Sequence, residues 1–167
     1  MQSTISRADL LRGDLSGRGR PVRPPWSSVD LEQRCDGCGA CVDACSDHLI
    51  RLGRGRLPEL DFSVAGCSLC AACREACPEH LLSAVGPWQP RVEVDAACLA
   101  LNGVICRSCG DACEPRALRY RLTPGGRSRP EIDPGACTGC GACVAPCPVA
   151  AIRMRNRPYS NHEASLS

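Results

Sequence analysis

The stretch Cys137-Thr-Gly-Cys140-Gly-Ala-Cys143-Val-Ala-Pro-Cys147-Pro148 decides the fold of this chain. Three cysteines stand three residues apart, and a fourth follows four residues later with a proline directly after it. The spacing Cys-x2-Cys-x2-Cys-x3-Cys-Pro is the run with which bacterial proteins bind 4Fe–4S clusters. Gly139 and Gly141 favour a tight loop around such a group, since glycine adopts positive φ without strain. Pro148 suits the first position of a helix leaving the loop, because proline has no N–H and a helical φ.

The same run recurs and sets the organisation of the chain. All sixteen cysteines fall into four groups of four, with none left over. The groups are Cys35, Cys38, Cys41 and Cys45; Cys67, Cys70, Cys73 and Cys77; Cys98, Cys106, Cys109 and Cys113; and Cys137, Cys140, Cys143 and Cys147. Groups one, two and four share one spacing, whereas group three has seven residues between its first two cysteines. We therefore expect four 4Fe–4S clusters with these sixteen cysteines as iron ligands, a zinc site or an empty site being the alternative for group three.

Disulfide bonds, structural zinc and catalysis fit the cysteine pattern less well than iron–sulfur clusters do. Disulfides persist in oxidising compartments, and structural zinc takes Cys-x2-Cys pairs that stand well apart in the sequence. No arrangement of nucleophile, acid and base accompanies the cysteines, since His48, His80 and His162 are each isolated. We expect no catalytic residues and no enzyme activity.

The composition limits the apolar core that the chain can build. Its 167 residues include only five aromatic residues, with 16 Gly and 14 Pro. Small domains with so little apolar core need cross-links such as bound metal to be stable. Cluster binding would therefore also supply folding free energy. The formal charge is +2, but each cluster with its four thiolates changes it by about −2, which brings the loaded protein to about −6. The net charge of the bare sequence is therefore no argument for binding to nucleic acid, and we expect no nucleic-acid partner.

The first thirty residues form an arginine-rich arm without cysteine. The arm carries Arg7, Arg12, Arg18, Arg20 and Arg23 and then Pro24-Pro25-Trp26-Ser27. No apolar run of the ~7–15 residues of a secretory signal, no twin-arginine pair and no stretch of ~20 apolar residues for a membrane span is visible. We expect a cytoplasmic protein without a membrane span, whose arm is either disordered or a docking segment anchored by Trp26.

Short alternating segments between the cysteine groups predict half-buried strands. They begin with a proline and cover residues 58–62, 90–95 and 130–133. Short apolar pairs follow each group, and glycines mark the turns. The predicted fold class is α+β, with tandem bacterial-type 2[4Fe–4S] ferredoxin folds that are rich in loops and have short helices and small β-hairpins. The predicted divisions are an arm at 1–30, two-cluster units at 31–90 and 91–156, and a polar tail at 157–167.

The pairing of the groups into two-cluster units has two solutions. In two-cluster ferredoxins the fourth cysteine of each run ligates the other cluster. The simplest plan pairs group one with two and group three with four, so that Cys77 joins group one and Cys147 joins group three. The alternative pairs one with four and two with three, nesting one unit inside the other. Linkers of 21, 20 and 23 residues allow both plans.

The chain resembles the NapF family of ferredoxin-type proteins from bacterial periplasmic nitrate-reductase systems. The likeness covers nearly the whole chain and includes the four groups, a third group that begins Cys98-Leu-Ala-Leu, and the arm ending in Arg23-Pro24-Pro25-Trp26-Ser27. It implies a cytoplasmic iron–sulfur protein that transfers electrons, contacts the molybdenum nitrate reductase catalytic subunit NapA and assists its maturation before export. Family members often have adjacent arginines near the start, whereas this chain has Ser6-Arg7-Ala8. The alternatives are an electron-transfer subunit of a larger oxidoreductase and a cluster carrier.

Overall fold

The computed structural model describes residues 21–85, 88, 90–124 and 127–155, with Arg127 described by its backbone alone. The predicted features at residues 1–20, the turns at 86–87 and 125–126, and the tail at 157–167 lie outside these ranges. Within them, no helix combines the length and the hydropathy that a membrane crossing requires.

Short helices and short strands alternate along the chain. The helices are α1 (Leu31–Arg34), α2 (Ala40–Asp43), α3 (Ala72–Glu75) and α4 (Ser108–Asp111). The strands are β1 (Ile50–Leu52), β2 (Pro58–Leu60), β3 (Arg91–Val94), β4 (Leu118–Thr123), β5 (Arg127–Ile132) and β6 (Ile152–Arg155), with a 3-10 turn at Arg54–Arg56. The three predicted strands therefore match β2, β3 and the end of β5, and the α+β, loop-rich class is confirmed.

The strands form three two-stranded antiparallel sheets, and one of them joins segments that flank two cysteine groups. Strands β1 and β2 form one hairpin, and β4 and β5 form another. Strand β3 pairs with β6, with Val92 opposite Met154 and Val94 opposite Ile152. Since β3 precedes group three and β6 follows group four, this sheet closes those two groups into one unit. This is the arrangement of the simpler plan, whereas the nested plan would separate groups three and four.

The first half is closed by residues that the sequence prediction had assigned to the arm. The backbone N–H of Leu60 donates to the carbonyl of Val22 at 2.8 Å, and that of Ala84 donates to the carbonyl of Trp26 at 2.8 Å. Val22 is buried, and Pro24 and Pro25 are among the largest fully buried side chains. From residue 22 onward, the segment therefore packs as an outer element of the first unit.

No described helix begins at the proline that follows a cysteine group, although the sequence predicted one at Pro148. Helices α2, α3 and α4 each contain the third cysteine of a group, while Pro78 and Pro148 lie in turns. The cause is the residue that follows two positions later, since His80 and Ala150 have φ of 52° and 49°. A left-handed residue is unfavourable in a right-handed helix and ends it. The expectation of a helix leaving the loop at Pro148 was wrong for this reason.

The apolar pairs after the cysteine groups form the core. One residue of each pair is at most 2% exposed. These residues are Leu49, Leu82, Ala117 and Ala151, which follow groups one to four in that order. Val144, within group four, packs against the buried cores of both halves. The two units therefore share a packed boundary.

Candidate metal centres

The structure gathers the cysteines into four sites, each of which mixes two groups. We name them by their residues: site A, Cys35, Cys38, Cys41 and Cys77; site B, Cys45, Cys67, Cys70 and Cys73; site C, Cys98, Cys106, Cys109 and Cys147; site D, Cys113, Cys137, Cys140 and Cys143. Sites A, B and D are cavities lined by all four of their cysteines, with volumes of about 410, 350 and 340 Å³ that include the open mouth. In site C, Cys147 packs against the buried clusters that contain Cys98 and Cys109, and the charges of Cys98 and Cys106 act on Cys109.

In every site the fourth cysteine comes from the partner group. Cys77 lines the cavity of group one, Cys45 that of group two, and Cys113 that of group four. Cys147 packs against the buried clusters that contain Cys98 and Cys109 of group three. This is the exchange typical of two-cluster ferredoxins, and it follows the simpler of the two sequence plans.

The thiols fit a positively charged group held between them. Burial, reinforced by Cys35, raises the pKa of Cys41 to about 11, and burial raises the pKa of Cys67 to about 11. Burial and the charge of Cys140 raise the pKa of Cys143 to about 12. Such thiols do not ionise together at neutral pH unless a cationic centre compensates their charge, as the iron atoms of a cluster do. Among the described residues, no three His, Cys, Asp or Glu side chains surround a single metal ion; the cysteines instead line these larger cavities.

All four groups end in the same turn, including group three with its longer first spacing. The carbonyl of the last cysteine accepts the N–H of the third residue after it, at 2.9 to 3.2 Å. That third residue has φ between 49° and 52° in every copy: His48, His80, Arg116 and Ala150. Group three therefore shares its exit geometry with the groups that match the cluster pattern fully.

The extra residues of group three form a compact loop rather than a break in the site. The backbone N–H of Val104 donates to the carbonyl of Leu99 at 2.9 Å. The Asn102 side chain donates to the carbonyls of Ala96 and Cys98, at 2.8 and 2.9 Å. The inserted segment thus turns back on itself, and Cys98 and Cys106 both lie close enough to Cys109 for their charges to act on it, although seven residues separate them.

Within each unit the two sites are close to each other. The charge of Cys73 in site B raises the pKa of Cys41 in site A, after the larger effects of burial and Cys35. The charge of Cys109 in site C acts in the same way on the pKa of Cys143 in site D. The third cysteine of each run therefore faces the neighbouring site.

Sites B and D meet across the boundary between the units. The backbone N–H of Cys67 donates to the carbonyl of Cys140 at 2.7 Å. Gly66 lies so close that a Cβ there would stand 2.7 Å from the Cα of Ala142, and Gly141 lies against the ring of Phe62. The four sites consequently follow one another in the order A, B, D, C. No local pattern in the sequence indicated this contact, because its partners are more than seventy residues apart.

Trp26 forms part of a site wall, which corrects its predicted place in a free docking arm. It lines the cavity of site B together with Pro25. The guanidinium of Arg74, on α3, lies over its indole ring at 6.0 Å from the centroid. Alteration of Trp26 should therefore affect site B.

We expect Trp26→Ala to destabilise the first unit and to weaken iron retention at site B. The indole is half-buried, so its removal should lower the free energy of unfolding by about 2 kcal/mol, below the range for fully buried aromatic side chains. Val29→Ala is the control: Val29 is fully exposed, and such changes stay within about 0.5 kcal/mol. Thermal midpoints and iron content of the two variants check this. Equal iron and equal midpoints would contradict the assignment of Trp26 to the wall.

Comparison with known proteins gives concordant matches over both units. Residues 34–81 and 104–151 each match the 4Fe-4S dicluster domain family, with Cys98 lying before the second stretch. The ferredoxin-type protein NapF of Escherichia coli (strain K12) is 42% identical over 156 residues, covering 91% of this chain and 95% of that protein. NapF of Haemophilus influenzae is 38% identical over 139 residues, with coverages of 81% and 79%. A component of an ion-translocating oxidoreductase complex from Methanosarcina acetivorans is 37% identical over 130 residues, covering 72% of this chain and 47% of that protein.

Proposed function

Since the chain belongs to the NapF family of ferredoxin-type proteins and contains two 4Fe–4S dicluster domains, we propose that it acts in the cytoplasm, transferring electrons while the nitrate reductase catalytic subunit NapA matures before export. The order of the sites supports this proposal. Sites A, B, D and C form one continuous series that passes from the first unit to the second through the Cys67–Cys140 contact. A series of this kind suits a protein that moves electrons over a distance, and no catalytic side chains are needed for it.

The proposal assigns all sixteen cysteines as ligands and four 4Fe–4S clusters to sites A to D, in two units of the bacterial two-cluster type within residues 31–90 and 91–156, with the segment from residue 22 packed against the first unit. A 4Fe–4S cluster accepts and releases one electron. The chain's own contribution is burial and hydrogen bonding. Cys73, Cys98, Cys109 and Cys143 are buried, which keeps water from these sulfurs, and donors aimed at the sulfurs adjust the reduction potential.

The iron content tests the number of sites. We expect about 16 iron and 16 sulfide per chain after anaerobic purification, since each of four clusters carries four of each. Cys106→Ala should lose about a quarter of the iron, because Cys106 belongs to site C alone. A content of about 12 in the unaltered protein, unchanged in Cys106→Ala, would show that group three holds no cluster.

Binding to the NapA precursor tests the proposed role. The loaded protein should bind the unexported NapA precursor with higher affinity than it binds exported, mature NapA. Deletion of residues 1–20, which leaves the packed segment from Val22 onward in place, should weaken this binding at least about tenfold, or about 1.4 kcal/mol, if the arm's arginines dock. Equal affinity for both forms of NapA would contradict a maturation role. Unchanged affinity after the deletion would remove the arm from the docking surface.

The second candidate is a permanent electron-transfer subunit of a larger oxidoreductase, which the likeness to a component of an oxidoreductase complex favours. Purification from native cells separates the two roles. A stable stoichiometric complex that survives gel filtration would support the permanent subunit, whereas a complex that forms only with unexported NapA would support the maturation protein. Transfer of iron and sulfide from the protein to apo-NapA would instead identify a cluster carrier.

A further inference from the structure

Site C contains a hydrogen bond from a tyrosine to a cysteine sulfur. The hydroxyl of Tyr120, on β4, lies 2.8 Å from the sulfur of Cys109, on α4. A cysteine that binds iron is a thiolate and can only accept, so the tyrosine must be the donor. A phenolic hydroxyl ordinarily loses its proton only near pH ~10, so Tyr120 is protonated at neutral pH and can donate.

The ring reaches the sulfur because residue 110 is a glycine. A Cβ at Gly110 would stand 2.6 Å from Cε2 of Tyr120, closer than carbon atoms approach. The guanidinium of Arg107 lies over the ring at 5.7 Å from its centroid. The tyrosine is therefore held in one place between helix α4 and strand β4, and its hydroxyl has a fixed direction.

The first unit has a different side chain at the position that corresponds to Tyr120. Counted from the cysteines, the counterpart of Gly110 is Val42 and that of Tyr120 is Leu52. Leu52 lines the cavity of site A. The first unit thus has a hydrocarbon side chain in the wall of site A, where the second unit has a hydroxyl beside Cys109.

Two further donors lie near the sulfurs of site C. The backbone N–H of Ala151 donates to Cys147 at 3.2 Å, and the hydroxyl of Ser108 lies 3.8 Å from the sulfur of Cys106. Three of the four cysteines of site C therefore have a donor. In site B, backbone N–H groups of Leu69, Ala72 and Arg74 donate to Cys67, Cys70 and Cys73, and the hydroxyl of Ser68 donates to the exposed Cys70. Among the described residues, site C differs in having a side-chain hydroxyl on a buried sulfur, that of Cys109.

We propose that Tyr120 raises the reduction potential of the cluster at site C, so that electrons collect at this end of the series A, B, D, C. The inference rests on the proposed electron-transfer function. Reduction places one more negative charge on the cluster and its cysteine sulfurs, and a hydroxyl aimed at one sulfur stabilises the reduced form more than the oxidised form. In the step concerned, site D loses one electron and site C gains it. No proton moves, because Tyr120 keeps its own.

An anaerobic redox titration of the full-length, loaded protein, followed by electron paramagnetic resonance, tests the proposal. Tyr120→Phe removes the hydroxyl and keeps the ring. We expect one of the cluster signals to titrate at lower potential, with the electron distribution between sites C and D shifted about tenfold toward D, which is about 59 mV for a one-electron couple. The iron content and the other signals should not change.

Gly110→Ala provides an independent variant, because its methyl group displaces the ring without altering the hydroxyl. It should shift the same signal in the same direction, and the double variant should shift it no further than Tyr120→Phe does. Leu52→Val, at the corresponding place in site A, is the matched control and should leave the site C signal unchanged. Unchanged potentials in Tyr120→Phe, an equal shift of all signals, or a loss of iron would each overturn the inference. Failure of the unaltered, iron-replete protein to accept electrons would instead refute the proposed function.

Discussion

Removal of the iron with a chelator is expected to abolish the cooperative thermal unfolding of this protein. The described strands have three to six residues each, and four of the buried apolar side chains are themselves cysteines of the sites. Structural zinc sites contribute about 10–16 kcal/mol to folding, and clusters held by four thiolates should act on a similar scale. Such a loss is as large as the whole stability of a typical domain, about 5–15 kcal/mol.

Differential scanning calorimetry of the loaded and the stripped protein, both kept anaerobic, measures this effect. The control is loaded protein treated with chelator that has first been saturated with metal. This sample should keep one sharp transition. A sharp transition in the stripped protein would show that the apolar core folds without the clusters.

The second large effect is expected from Gly141→Ala at the boundary between the units. Gly141 has φ of 75°, and its missing side chain leaves the space that the Phe62 ring occupies. A left-handed alanine costs about 1–2 kcal/mol, and displacing a buried ring costs about 1–3 kcal/mol more. We expect the variant to be about 3 kcal/mol less stable than the unaltered protein.

Gly39→Ala isolates the effect of the boundary. Gly39 follows the second cysteine of its group as Gly141 does, and its φ is 90°, but the nearest atom to a Cβ there is Leu52 Cδ1 at 4.0 Å. This variant should lose only the conformational part, about 1–2 kcal/mol. The temperature at which the cluster absorbance bleaches should therefore fall further in Gly141→Ala, by about 4–8 °C if the two variants differ by about 2 kcal/mol. An equal fall in both would show that the Phe62 contact contributes nothing.

The sequence predicted the features that depend on neighbouring residues. The spacing of Cys137, Cys140 and Cys143 describes a loop that folds around one centre, and the same spacing identifies the other groups. The alternation after Pro58 and Pro130 predicted strands, because side chains alternate between the faces of a strand. The exchange of the fourth cysteine followed from the two-cluster pattern, but the choice between the two pairing plans did not.

The features that the sequence missed depend on contacts between distant residues. Nothing in the composition of residues 22–28 shows that they close the first unit, since Val22 and Trp26 gain their partners, Leu60 and Ala84, from the fold. The contact between sites B and D joins two cysteine loops of different units. The contact of the Tyr120 hydroxyl with Cys109 was not predicted either, although Gly110, where group one has Val42, is a local signal of the space that the ring occupies.

The four left-handed turns after the cysteine groups have a consequence for the lifetime of the protein. His48, His80, Arg116 and Ala150 adopt a conformation that costs about 1–2 kcal/mol each for a residue with a side chain. Cysteines fixed by a cluster hold the turns in this conformation, and without that anchor the backbone relaxes. Every quarter of the chain would then open to proteases at the same time. Molecules that lose their iron should therefore be degraded quickly, while loaded molecules persist.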